Sequence, residues 1–273
     1  MPELKREGVR LFYHVWGTEG PGVVLVHGLG SCGEDWPFQV ERWQRHYRLV
    51  APDLRGHGQS APIRAPVTVA DLADDVAAIV QAADVAPAHV VGLSLGGMVA
   101  QELALRHPEL VRSLVLVNTF CRLRVRGWRD RRRIWARTLA LRLLPMSFVA
   151  RSTARRLFPQ PEDAELYRAA VERLRGNDRR SIWLAWQAIR HHDTCDRLEH
   201  MRVPTLVVHG EEDTTVSYVD CQVLAQRIPG AQLKTIPNSG HATPLDAPNR
   251  FNMAVEEFWK RVETEAAGGV SAS

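Results

Sequence analysis

Two kinds of apolar segment alternate along the chain. Short runs rich in valine and leucine recur: "VRLFYHVW" (9–16), "GVVLVHGLG" (22–30), the start of "YRLVAPDLRGHGQS" (47–60), "AHVVGL" (88–93), "VRSLVLVN" (111–118), "PTLVVHG" (204–210) and "AQLKTIP" (231–237). Most of them run without polar alternation, which predicts strands buried on both faces of a sheet. Helical periodicity fills the gaps. In "TVADLADDVAAIVQAADV" (68–85), Leu72, Val76, Ile79 and Val80 repeat at helical spacing behind Thr68, a residue type that caps helix N-termini. "LGGMVAQELALRHPE" (95–109) predicts a helix ended by Pro108, and further helices are predicted over 216–228 and 247–262.

Strands alternating with helices at this interval predict an α/β fold, a mainly parallel, doubly wound sheet. The alternation stops between 119 and 200, where helical signals appear without a convincing strand. The expected organisation is a core of residues 1–118 and 201–273, with 119–200 inserted between two of its strands as a helical segment. The tail "TEAAGGVSAS" (264–273) is small and polar and is expected to fray.

Charge singles out the same insertion. The net charge is +4, yet residues 120–200 hold 19 arginines, no lysine and 9 acids. The four cysteines, Cys32, Cys121, Cys195 and Cys221, are scattered, which points to free thiols rather than a zinc site or a disulfide framework. The first residues lack the apolar run of a secretory leader, and no run approaches the ~18 apolar residues of a spanning helix. A soluble, cytoplasmic protein is expected, with neither metal nor cofactor.

The chemistry-bearing residues lie at strand ends. Ser94 sits in "GLSLGG" (92–97), between a strand and a helix, with Gly92 and Gly96 where a sharp turn leaves no room for a Cβ. A serine nucleophile needs a base, an acid to orient that base, and N–H donors for the oxyanion. "HGLG" (27–30) can offer the Leu29 amide, and the helix start after Ser94 offers that of Leu95. "HGEEDTTV" (209–216) offers Asp213 as the acid, with Glu211 and Glu212 as competitors. "NSGHATPLD" (238–246) offers His241, on a loop read as a mobile mount. Each follows a different strand, and in an open parallel sheet such positions converge.

Five motifs in order, "HGLGS", "DLRGHGQS", "GLSLGG", "GEED" and "SGHATPLDAP", resemble the α/β-hydrolase fold superfamily in its serine esterase, lactonase and peroxidase-like branch. The resemblance implies a catalytic triad of Ser94, Asp213 and His241, an oxyanion hole from Leu29 and Leu95, and a cap over 119–200. It implies a carboxylesterase acting on a small-molecule ester through an acyl-enzyme. The alternatives are a lactonase acting on an anionic ring such as an enol-lactone, or cofactor-free perhydrolase activity. Trp36, Phe120, Trp135, Phe148, Trp183 and Trp186 are candidates for the substrate pocket.

"RDRRRIWARTLALRLL" (129–144) is a basic amphipathic stretch in which Trp135, Leu139 and Leu143 recur at helical spacing, broadened by Ile134 and Leu141. Three readings stay open: a solvated face, contact with a lipid surface, and attraction of an anionic substrate. Nucleic acid is not an expected partner, because these arginines stand among long apolar side chains and no binding motif accompanies them.

Overall fold

The computed structural model describes residues 2–158 and 163–269. Eight strands form one sheet: β1 (Glu3–Arg6), β2 (Val9–Trp16), β3 (Gly22–Val26), β4 (Arg48–Asp53), β5 (Ala88–Leu93), β6 (Val111–Val117), β7 (Thr205–Gly210) and β8 (Gln232–Ile236). Their spatial order is β1-β2-β4-β3-β5-β6-β7-β8. β1 and β2 are antiparallel to their neighbours, and every pairing from β4 to β8 is parallel. The fold is α/β, as the alternation of segments predicts. β1 escapes the sequence pattern because it is a four-residue edge strand with no fully buried side chain.

The continuous apolar runs have a simple cause. Along β3, Val24 and Val26 enter one core layer while Val23 and Leu25 enter the other. β6 divides likewise, with Leu114 and Leu116 on one side and Val115 and Val117 on the other. A strand covered by helices on both faces has no polar side to show. One layer is closed by α2 (Val69–Ala82) and α3 (Leu95–Arg106), the other by α1 (Pro37–Trp43) and α10 (Pro248–Gly269). Thr68 does cap α2: its hydroxyl accepts the Asp71 N–H at 3.1 Å, while the Asp71 carboxylate accepts the Thr68 N–H at 2.7 Å. α10 continues to Gly269, so 264–269 extend a helix rather than fray; 270–273 lie outside the described residues.

Between the hydrogen-bonded neighbours β6 and β7 the chain makes a helical excursion. It comprises α4 (Trp128–Leu143), α5 (Met146–Leu157), α6 (Ala164–Arg175) and α7 (Arg179–His191), and α8 (Tyr218–Arg227) and α9 (Thr243–Asp246) follow β7 and β8. Leu141, Ile182, Trp186 and Ile189 join the core layer beneath α2 and α3, so the excursion is seated on the sheet domain.

The cysteine expectation fails for one pair. Cys121 and Cys195, 74 positions apart, form a disulfide, and only Cys32 and Cys221 are free. The bond joins the two feet of the excursion, where the Thr194 N–H also donates to the Cys121 carbonyl and Arg122 bridges to Asp193. Spacing gave no hint because the strand-end geometry, not local sequence, brings the two residues together. Disulfides persist in oxidising compartments, so this bond does not favour the expected cytoplasmic setting. Among the described residues, no helix is long and apolar enough to cross a membrane.

Candidate active site

β3 pairs with β4 on one side and β5 on the other, so the chain leaves β3 and β5 toward opposite edges. A crevice opens at such a reversal, beyond the carboxyl ends of the strands. The loops after β3 and β5 meet there, and a Cβ added to Gly28 would lie 3.6 Å from the Ser94 Cβ.

Ser94 turns the chain from β5 into α3 with φ 55° and ψ −112°. A non-glycine residue in that region carries about 1–3 kcal/mol of strain. Its neighbours hold it there. The Ser94 N–H donates to Val117 O at 2.9 Å, and the Thr119 hydroxyl donates to Ser94 O at 2.7 Å. The flanking glycines are demanded by close approach: a Cβ at Gly92 would stand 2.3 Å from Gly96 O, and one at Gly96 2.0 Å from Val26 O.

His241 is buried, and its Nδ1 lies 2.8 Å from Asp213 Oδ2. The Asp213 side chain is fully enclosed, and its second oxygen accepts the N–H groups of Thr215 at 2.6 Å and Val216 at 3.1 Å. Glu211 and Glu212 are exposed, which separates them from the acid position that the sequence leaves open.

The His241 loop, read from the sequence as a mobile mount, is tied down by hydrogen bonds. Ser239 Oγ and the Gly240 N–H donate to the two oxygens of Asp246, at 2.7 and 2.8 Å. Asn118, fully buried at the end of β6 with φ 45°, does more. Its Nδ2 donates to the carbonyls of Gly240 (3.1 Å) and His241 (2.8 Å) and to Thr243 Oγ1 (2.8 Å), while its Oδ1 accepts the Gly210 N–H (2.8 Å). One amide thus ties the acid loop to the histidine loop. The sequence signal for it is an asparagine closing an apolar strand, a residue type that tolerates positive φ.

Among the described residues, the backbone N–H groups of Leu29 and Leu95 have no hydrogen-bond partner. His27 braces the loop that carries Leu29. Its Nδ1–H donates to Gly28 O at 2.8 Å and its Nε2 accepts the Leu54 N–H at 3.0 Å. Burial lowers its pKa, which keeps the ring in this neutral, bridging form. Burial pushes neighbouring His57 down to about 3.

Ser94 and His241 open into one cavity of about 410 Å³ roofed by the excursion. Its wall includes Leu29, Met98, Phe120, Phe158, Trp186 and Ile189. Of the six pocket candidates, Phe120 and Trp186 line this cavity and the other four do not. Trp36 is 1% exposed and packs in the core layer with α1 and α10. Trp183 packs beside Ile63 and Leu184. Trp135 is 65% exposed on the outer surface of α4, and Phe148, 58% exposed, lines a smaller pocket of about 60 Å³ that shares Leu29, Arg137 and Arg156 with this cavity. Aromatics on helices with apolar positions on two faces cannot be assigned to a face by spacing alone.

Arg133, Arg137, Arg156 and Arg173 also line the cavity. Arg173 is paired with Glu34 (3.1 Å) and Asp35 (3.2 Å). Arg137 has no carboxylate partner among the described residues; its guanidinium lies 4.5 Å from the Trp186 ring centre. Burial, with Arg156 nearby, lowers its pKa to about 10, which leaves it charged at neutral pH. Among the described residues, no cluster of histidine, cysteine and carboxylate side chains could hold a metal.

The family model for the alpha/beta hydrolase fold matches residues 21–248. The chain is 33% identical to the "Putative carbamate hydrolase RutD" of a Caulobacter species, over 91% of this chain and 95% of that one. It is 26% identical to "3-oxoadipate enol-lactonase 2" of Acinetobacter baylyi, over 94% and 96%. The crystal structure of the enol-lactonase from Burkholderia xenovorans superposes with a TM-score of 0.88 at 25% identity, covering 95% of this chain and all of that one. Sheet order, strand-end crevice and matched motifs agree, and the chain belongs to the alpha/beta hydrolase fold family and is a hydrolase.

Proposed function

We propose that the protein is a serine hydrolase that cleaves carboxylic esters through an acyl-enzyme. The observation that carries the reading is the buried His241–Asp213 pair at 2.8 Å, facing the cavity into which the strained Ser94 turn also opens. Ser94 Oγ attacks the ester carbonyl carbon as His241 Nε2 takes its proton. Asp213 holds the Nδ1–H tautomer and stabilises the imidazolium. The Leu29 and Leu95 amides bind the tetrahedral oxyanion. The C–O bond to the leaving group then breaks, and His241 returns the proton to the departing alkoxide. His241 next deprotonates water, which attacks the acyl carbonyl and releases the acid and free Ser94. The helices 119–200 act as a cap that shapes the acyl site.

The test is turnover of short-chain p-nitrophenyl esters by wild type and Ser94→Ala. Wild type is expected to turn them over; equal rates in the two proteins would sink the mechanism.

A second reading, hydrolysis of an anionic lactone, rests on Arg137. A desolvated guanidinium lining the cavity that Ser94 opens into, without a carboxylate partner among the described residues, favours a substrate that brings its own anion. The enol-lactonase relatives share this direction, whereas the carbamate hydrolase name points to a different acyl carbon for the same attack. Competitive inhibition by small dicarboxylates, relieved by salt, is expected. Indifference to ligand charge would remove this second reading and leave the first standing.

A further inference from the structure

α4 has two apolar faces, and the fold uses one. Ile134, Thr138 and Leu141 point inward: Leu141 is buried in the core layer, and Thr138 accepts the Trp186 indole N–H at 2.9 Å. The helix is thereby already seated. On its other side Trp128 (65% exposed), Trp135 (65%), Leu139 (37%) and Leu143 (61%) face solvent. At 3.6 residues per turn these four fall within about 80° of arc. Contiguous exposed tryptophan and leucine on a helix that needs no further packing marks a surface made for contact.

Charge says contact with what. α4 carries six arginines and one aspartate. Arg129, Arg131, Arg132 and Arg142 are exposed, and none has a carboxylate partner among the described residues. Arg129 and Arg132 lie 5.7 and 5.1 Å from the Trp128 ring centre, on the apolar stripe itself. The sole aspartate, Asp130, is engaged by the Arg126 N–H at 2.9 Å. A second copy of the chain docked symmetrically on this face would bring two arginine sets together without acids to pair them. A bilayer with anionic headgroups accepts both halves of the pattern: indole and leucine enter the headgroup–acyl boundary while guanidinium groups meet phosphate.

We propose that the outer face of α4 docks the protein on an anionic phospholipid surface, lying in the interface without crossing it. The inference is independent of the reaction proposed above.

The experiment is co-sedimentation of the full chain with vesicles of phosphatidylcholine alone and with a one-quarter share of phosphatidylglycerol. Wild type is expected to bind the anionic vesicles ~10-fold or more tightly than the neutral ones, with binding weakened by salt and a blue shift of tryptophan emission. The triple variant Trp128→Ser, Trp135→Ser, Leu143→Ser is expected to lose the binding by ~10-fold or more while keeping ester turnover and melting temperature. Absence of wild-type binding to anionic vesicles would overturn the proposal. So would equal binding by the triple variant, or a wild-type dimer that the triple variant abolishes without any vesicle binding.

Discussion

The strand-end loops and the inserted helices sit on opposite sides of one cavity and are built differently. On the sheet side, the side chains that hold the loops around the site are partnered. Asn118 makes four hydrogen bonds across two loops, Asp213 has both oxygens occupied, and His27 is bonded at both ring nitrogens. On the helical side, cationic groups are left over among the described residues: Arg137 faces the cavity without a carboxylate partner, and the outer arginines of α4 face solvent. The first region is held together by its own hydrogen bonds, which is what the proposed acyl transfer requires. The second leaves charge without a carboxylate partner among the described residues. Under the proposed function, chemistry and recognition are carried by different segments of the chain.

Substitutions on the two sides should therefore fail in different ways. The largest effect is expected on the sheet side. Asp213→Asn removes the charge behind the imidazole and disfavours the reactive tautomer, and kcat should fall about 10,000-fold. Steady-state kinetics with a neutral ester measures it, and a fall of only a few fold would mean that the acid lies elsewhere. On the helical side, replacing Cys121 and Cys195 by serine opens a loop closed over 74 positions. That should cost on the order of 4 kcal/mol of stability by loop-closure entropy, read from denaturant unfolding. Because Ser94, Asp213 and His241 follow sheet strands, residual activity of the folded variant should stay within about 3-fold for a small neutral ester.

Asn118→Ala is the sharper probe of the sheet side. It frees four hydrogen-bonding groups in two loops, so kcat should fall about 10- to 100-fold with KM little changed. A change in KM alone would contradict a positioning role. Arg137→Gln is the smallest and most selective. It should lower kcat/KM about 10-fold for an ester bearing a carboxylate and leave an uncharged ester of similar size within about 2-fold. Equal losses on both substrates would erase the division of labour.

The same division governs what could be read from sequence. β3, β5, β6 and β7 were legible because burial on both faces leaves only apolar residues, and Ser94 and His241 because glycine-rich turns advertise them. The choice among Glu211, Glu212 and Asp213 was not legible, since it depends on which carboxylate is enclosed. On α4, neighbouring Ile134 and Trp135 look alike in composition but lie about 100° apart on the helix, one facing inward and one outward. The Cys121–Cys195 pairing depends on which strands are adjacent, and spacing does not carry that.

The proposed mechanism puts the acyl group on Ser94. Incubation with an activated phosphonate ester, followed by peptide mass spectrometry, tests it directly. One adduct per chain is expected, located on Ser94, together with complete loss of ester turnover and no labelling of Ser94→Ala. An adduct on another residue that abolishes turnover, or full turnover in a protein labelled at Ser94, would contradict it.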